Sequence, residues 1–259
     1  MRIQHLATLL SAGFIGLALL APTSADGAAS RGKKKSEPAA EPVAIEQPIP
    51  LEPPGLAFGK SPKEVSQIYF KAIDKDHAEA YANVEPGTEQ RRLDEEVQRI
   101  KDAFKKSLLV LDAPPSNLDG SLFVGEFTYK NQEAAMHTSR QGKARTLFFM
   151  RDKLWKIIDV YELGEKAKMG PTFKTAVEKL EGMTGTPGRA LAAAPEAGRR
   201  FDEVDWANAT THLRVIKWGD AHAAVAFVER ATEQRLSELR SHKETPQEGL
   251  DPSVKGVLR

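Results

Sequence analysis

Because the chain has no cysteine, its six histidines are the first residues to test as metal ligands or general bases. They are His5, His77, His137, His212, His222 and His242. None belongs to a His-x-Glu, a His-Glu-x-x-His or any other compact ligand pair. His212 and His222 share the segment THLRVIKW-GD-AHAAVAFV. A two-residue Gly219-Asp220 turn would set them opposite Phe227 and Lys217, on opposite faces, so they would not meet at one ion. Structural or surface histidines are the expectation, with no metal, no cofactor and no catalytic set. The glycines of Gly182–Gly188 have the look of a phosphate loop, but they follow a helical segment, where glycine serves as a C-cap. Gly120 and Gly125 have Walker spacing, yet Glu126 stands where lysine is required. No Gly-x-Ser-x-Gly elbow occurs. Asp152, Asp159 and Glu162 lie close in sequence, and paired carboxylates would suit glycoside cleavage if their separation allowed it. Asn208-Ala209-Thr210 fits an N-glycosylation acceptor.

The N-terminus carries an address rather than chemistry. Arg2 precedes the uncharged run LATLLSAGFIGLALLA, and Pro22-Thr23-Ser24-Ala25 follows it. The run is shorter than the roughly 20 apolar residues of a spanning helix. It has the form of a signal peptide over residues 1–25, cut between Ala25 and Asp26, with retention as an uncleaved anchor as the alternative. Export to a periplasm or the exterior is the expected destination, with no integral membrane segment after cleavage. Removing residues 1–25 takes away one of the 37 basic side chains and none of the 36 acidic ones, so the remaining charges balance. Balanced, interspersed charge gives no footprint for a nucleic-acid backbone. Without cysteine there is neither a disulfide framework nor a lipid-attachment thiol.

The elements that position these residues follow from pattern. Six prolines between Pro38 and Pro54 make residues 26–55 an extended linker. Within it Arg31, Lys33, Lys34 and Lys35 are candidate contacts to an anionic membrane or cell-wall polymer. Residues 56–165 form the first α+β domain. Ser61, Pro62 and Glu64 make three coincident start signals for a helix with Val65, Ile68, Tyr69 and Ala72 on one face. A short helix over Asp76–Asn83 follows, then a long one with Leu93, Val97, Ile100 and Phe104 at helical spacing. The period then changes to two, with strands at 108–111, 121–129, 133–139, 144–150 and 154–162 joined by short turns. That pattern predicts an antiparallel meander. Residues 166–245 repeat the order, with a helix opened by Gly170-Pro171-Thr172 and then the Gly219-Asp220 hairpin. Residues 246–259 read as a tail. The fold class is α+β, helices on antiparallel meanders. Gly59-x-Ser61-x-Lys63 and Gly170-x-Thr172-x-Lys174 match at an offset that either a duplication or common residue types would leave.

Phe58-Gly59-x-Ser61-x-x-Glu64-Val65, a short helix entry ahead of an antiparallel sheet, resembles two kinds of small periplasmic domain. These are the domains of the β-lactamase inhibitor protein and of the small lipoprotein of the outer-membrane β-barrel assembly machinery. Where those families turn with Leu-Gly-x-Pro, this chain has Ile73-Asp74-Lys75-Asp76, and the lipoprotein's anchoring cysteine is missing. The resemblance implies a non-enzymatic protein-binding or assembly role and transfers no site residue.

The hairpin TLFFMRDKLWKIIDVYEL is apolar on both faces: Leu154, Ile158 and Val160 alternate with Trp155, Ile157 and Tyr161. A strand of this kind needs cover on two sides. Trp155 and Tyr161 are therefore further candidate partner contacts. The leading expectation is a non-catalytic envelope binding or scaffold protein whose partner is an envelope protein or polymer. The alternatives are an envelope-polymer hydrolase using paired carboxylates and a binder of small apolar ligands. Oligomeric state is not legible.

Overall fold

A computed structural model describes residues 41–112, 126–195 and 199–242. The expected signal segment with Ala25 and Asp26, the basic cluster Arg31, Lys33, Lys34 and Lys35, the Gly120–Gly125 spacing and the tail 246–259 lie outside the described residues. In chain order the elements are β1 (Val43–Ala44), α1 (Pro62–Asp76), α2 (Ala78–Asn83), α3 (Thr88–Lys106), β2 (Leu109–Val110), β3 (Glu133–Arg140), β4 (Lys143–Met150) and β5 (Lys153–Glu162). They continue with α4 (Phe173–Thr184), β6 (Arg189–Leu191), β7 (Glu203–Ala207), β8 (Thr211–Lys217), β9 (His222–Glu229), α5 (Arg230–Glu233) and α6 (Leu236–Leu239). The α+β class stands.

The strands form a single sheet in the order β1-β7-β8-β9-β5-β4-β3-β2, with β6 on the outer edge of β7. Every pairing is antiparallel except that of β1 with β7. Each half runs from a helix into four consecutive antiparallel strands, β2–β5 and β6–β9, and the last strands of the two halves, β5 and β9, pair along a central seam. The two helix entries match locally. Gly59 and Gly170 both take positive φ, and Ser61 and Thr172 both close reciprocal capping boxes.

Helices α1 and α3 cover β3–β5 through Val65, Tyr69, Phe104, Leu147 and Ile157. Helix α4 covers β7–β9 on the same side through Ala176, Leu180, Leu213 and Val225. The opposite face is covered by this chain itself. Phe127, Tyr129 and Leu239 pack there on Phe148, Trp155, Ile158 and Ala226. Both faces of β5 are thus covered.

Three expectations are corrected. Residues 41–55 do not run free as linker. They form a strap that pairs β1 with β7, buries Ile45 and delivers Leu56 to the α1–α3 core. Proline removes backbone donors but stiffens an extended chain, which therefore loses little entropy on lying across a sheet.

The β8–β9 hairpin turns through three residues, since Lys217 pairs with Ala223 and Trp218 N–H donates to His222 O at 3.1 Å. Ile216 meets Ala224 and Leu213 meets Phe227, and the one-residue shift puts His212 and His222 on the same face, at opposite ends. Finally, a bulge beside Phe148 and Phe149 breaks the alternation of β5. Trp155 joins Ile158 on one face while Leu154 joins Ile157 on the other.

Candidate functional site

On the helical face a cleft opens between the strap and α4, floored by β4, β5 and β9. The register Arg145↔Asp159 and Lys143↔Tyr161 sets two cations of β4 against an acid and a phenol of β5. Asp159 is fully buried. It accepts from Arg145 Nε at 2.5 Å and Arg145 Nη2 at 2.6 Å, from Lys143 Nζ at 3.0 Å and from Tyr161 Oη at 3.4 Å. Arg145 also donates to Tyr69 Oη at 3.1 Å and to the backbone oxygen of Glu52. Burial of this kind is tolerated because every charge is paired and hydrogen-bonded. Burial pushes the phenols of Tyr69 and Tyr161 above their ordinary range. Both therefore stay neutral hydrogen-bonding groups.

Lys143 has a second acid. Glu52, on the strap, reaches its Nζ at 3.3 Å while its own side chain remains 60% exposed. Burial acts to raise the Glu52 pKa, but the charge and hydrogen bond of Lys143 outweigh it and hold the carboxyl below its usual value. The walls are apolar, from Leu51, Met169, Leu180, Met183 and Phe227, and the exposed residues Lys168 and Lys179 stand on the rim, the Lys179 ammonium donating to the Lys168 backbone oxygen at 2.5 Å. The cavity measures about 330 Å³. That lies within the range of pockets for small organic ligands, which are mostly apolar with a few fixed polar groups.

A second polar cluster lies on the opposite face. Glu126 accepts from Lys156 at 2.9 Å and from Arg214 at 2.9 and 3.0 Å, and Arg214 also reaches Glu203 at 3.3 Å. Burial pushes the Lys156 ammonium down to about 8 against the pull of Glu126. Burial raises the Glu203 carboxyl, while Arg214 and Lys156 overcome burial and hold Glu126 well below the usual range. These acids are committed to cations. Glu126 fastens its segment to the sheet, and Arg240 adds a bond to the Glu126 backbone oxygen at 3.1 Å beside its pair with Glu133 at 2.9 and 3.0 Å.

The remaining candidates take structural places. Trp155, read as a partner contact, is only 2% exposed, because the bulge turns it under Leu239 and Phe127. Tyr161 is buried on the cleft floor rather than at the surface. Asp152 sits in the β4–β5 turn. Asn208 caps its own turn, accepting from the backbone of Thr210 and Thr211. Gly185 is the left-handed C-cap of α4, its N–H donating to Glu181 O at 2.8 Å. His77 closes α1, and His212 bridges Asp205 and Glu233. Among the described residues no three His, Asp or Glu side chains converge as a metal site, and no helix is long and apolar enough to cross a membrane.

Sequence reasoning missed Glu52, Lys143, Arg145, Lys168 and Lys179. A signal existed for two of them. Lys143 and Arg145 alternate along β4 directly after the tight Gln141-Gly142 turn, and two cations on one face of a strand call for acids opposite them.

Family models, curated proteins and solved structures gave no match.

Proposed function

We propose that this chain is an exported, non-catalytic binding protein of the cell envelope that holds a small amphiphilic molecule in the cleft between the strap and α4. The observation that carries the reading is the conjunction, in one cavity of about 330 Å³, of apolar walls with a fixed, paired charge cluster on the floor. Export rests on the form of residues 1–25. A non-catalytic role agrees with the resemblance of the helix entry at Phe58–Val65 to periplasmic binding domains. Hydrolysis by paired carboxylates would draw on acids that share a cation, Glu126 with Glu203 on Arg214 and Glu52 with Asp159 on Lys143. Each of these acids is bound to lysine or arginine, whereas a general acid must present a proton to the substrate.

Calorimetric titration of the full chain with linear alcohols tests the binding reading. Saturable one-to-one binding is expected, strengthening about fourfold per added methylene until the cavity fills. Met183→Glu, at an exposed wall position, should weaken it. Absence of saturable binding would end the reading.

A further inference from the structure

The charge count of the cleft floor restricts the ligand's head, on the premise that the cleft is a binding site. Two cations, Lys143 and Arg145, face two acids, Asp159 and Glu52. The acids are held very differently. Asp159 has a bidentate grip from Arg145 and a further bond from Lys143, all in the interior. Glu52 has one side-chain bond, at 3.3 Å, and most of its side chain is in water. Its backbone oxygen is held separately by Arg145. The carboxylate can therefore swing out while the strap stays in place.

We infer that the cleft takes a carboxylate-bearing amphiphile whose head replaces the Glu52 carboxylate on Lys143 and whose apolar body lies along Leu180, Met183 and Phe227. A third acid added beside Asp159 and Glu52 would crowd three carboxylates around the single ammonium of Lys143, where like charges repel. An acid that exchanges with Glu52 keeps the balance. Lys168 and Lys179 on the rim favour the approach of an anion and disfavour a cation. Glu52 thus acts as a built-in competitor that sets affinity for acids and leaves neutral analogues untouched.

Octanoate and octanol, titrated into the full chain and into Glu52→Gln, separate the possibilities. The substitution removes an exposed ion pair and should raise octanoate affinity about threefold, with octanol unchanged. Lys143→Gln, checked for folding by circular dichroism, should reduce octanoate binding towards the level of octanol. If octanol binds and octanoate does not, or if Glu52→Gln shifts both equally or neither, the exchange is wrong and the cleft reading survives. If neither probe binds either protein, the cleft reading fails and takes the exchange with it.

Discussion

Asp159 is the residue on which the cleft floor depends, since it is the shared counter-ion of Arg145 and Lys143. Asp159→Asn keeps the shape but leaves two buried cations short of an acid. A loss of about 3–5 kcal/mol is expected, read from urea unfolding, because breaking one partner of a buried pair costs far more than the pair contributes. His212 contributes a pH dependence to stability near neutrality. Burial lowers its pKa, but hydrogen bonds to Asp205 and Glu233 outweigh burial and raise it above the ordinary 6.5. Arg189 and Arg214 are the nearby cations that share these acids or repel the ring. The folded protein holds this proton more tightly than the unfolded chain does. The contribution is therefore complete below about pH 6.5 and is lost as pH rises through the folded value. Urea unfolding of the parent and of His212→Gln should differ most in mild acid and converge in mild alkali. The role of His212 was hidden in the sequence because its partners, Asp205 on β7 and Glu233 on α5, meet it only through folding.

At the scale of elements, the β4–β5 turn is closed by Arg151 and Asp152, both at positive φ without a glycine. A two-residue turn of this twist favours Asn-Gly. The double change Arg151→Asn and Asp152→Gly should stabilise the protein by about 1 kcal/mol, measured as a higher urea midpoint with an unchanged slope. Helices α1 and α4 were legible because caps at Ser61 and Thr172 agree with apolar spacing, and α3 because of the spacing Leu93–Phe104 alone. The strand faces were less so. Whether the β8–β9 hairpin turns in two residues or three is settled by how Ala223–Ala226 pack, and periodicity does not encode the bulge that reverses Trp155. Strand β7 escaped notice because Glu203 and Asp205 alternate with Val204 and Trp206, and acids at two inward positions disguise a buried strand. Their partners, Arg214 and Arg189, lie elsewhere in the chain.

For the whole molecule, the strap ties both halves of the helical layer, with Ile45 in one core and Leu56 in the other. A chain beginning at Leu56 should be less stable than one beginning at Glu41 by at least the about 2 kcal/mol that burying Ile45 alone contributes. It should also lose the backbone partner of β7 at Ala207, where Ile45 N–H donates at 2.8 Å. Equal urea midpoints for the two chains would show the strap to be dispensable. The cleft was not legible as a site for the same reason the strap was not. Its acids, its cations and its walls come from six separate stretches of sequence, and the proline-rich stretch has the composition of a spacer.

The seam between β5 and β9 also sets an order of events in time. Residues 133–162 form local hairpins that close quickly, whereas β5 waits for residues 222–228 to arrive from far along the chain. Until then the apolar strand from Leu154 to Tyr161 presents an open hydrogen-bonding edge. The interval between synthesis of the first half and of the last hairpin is therefore when this protein is most exposed to pairing with another copy of itself.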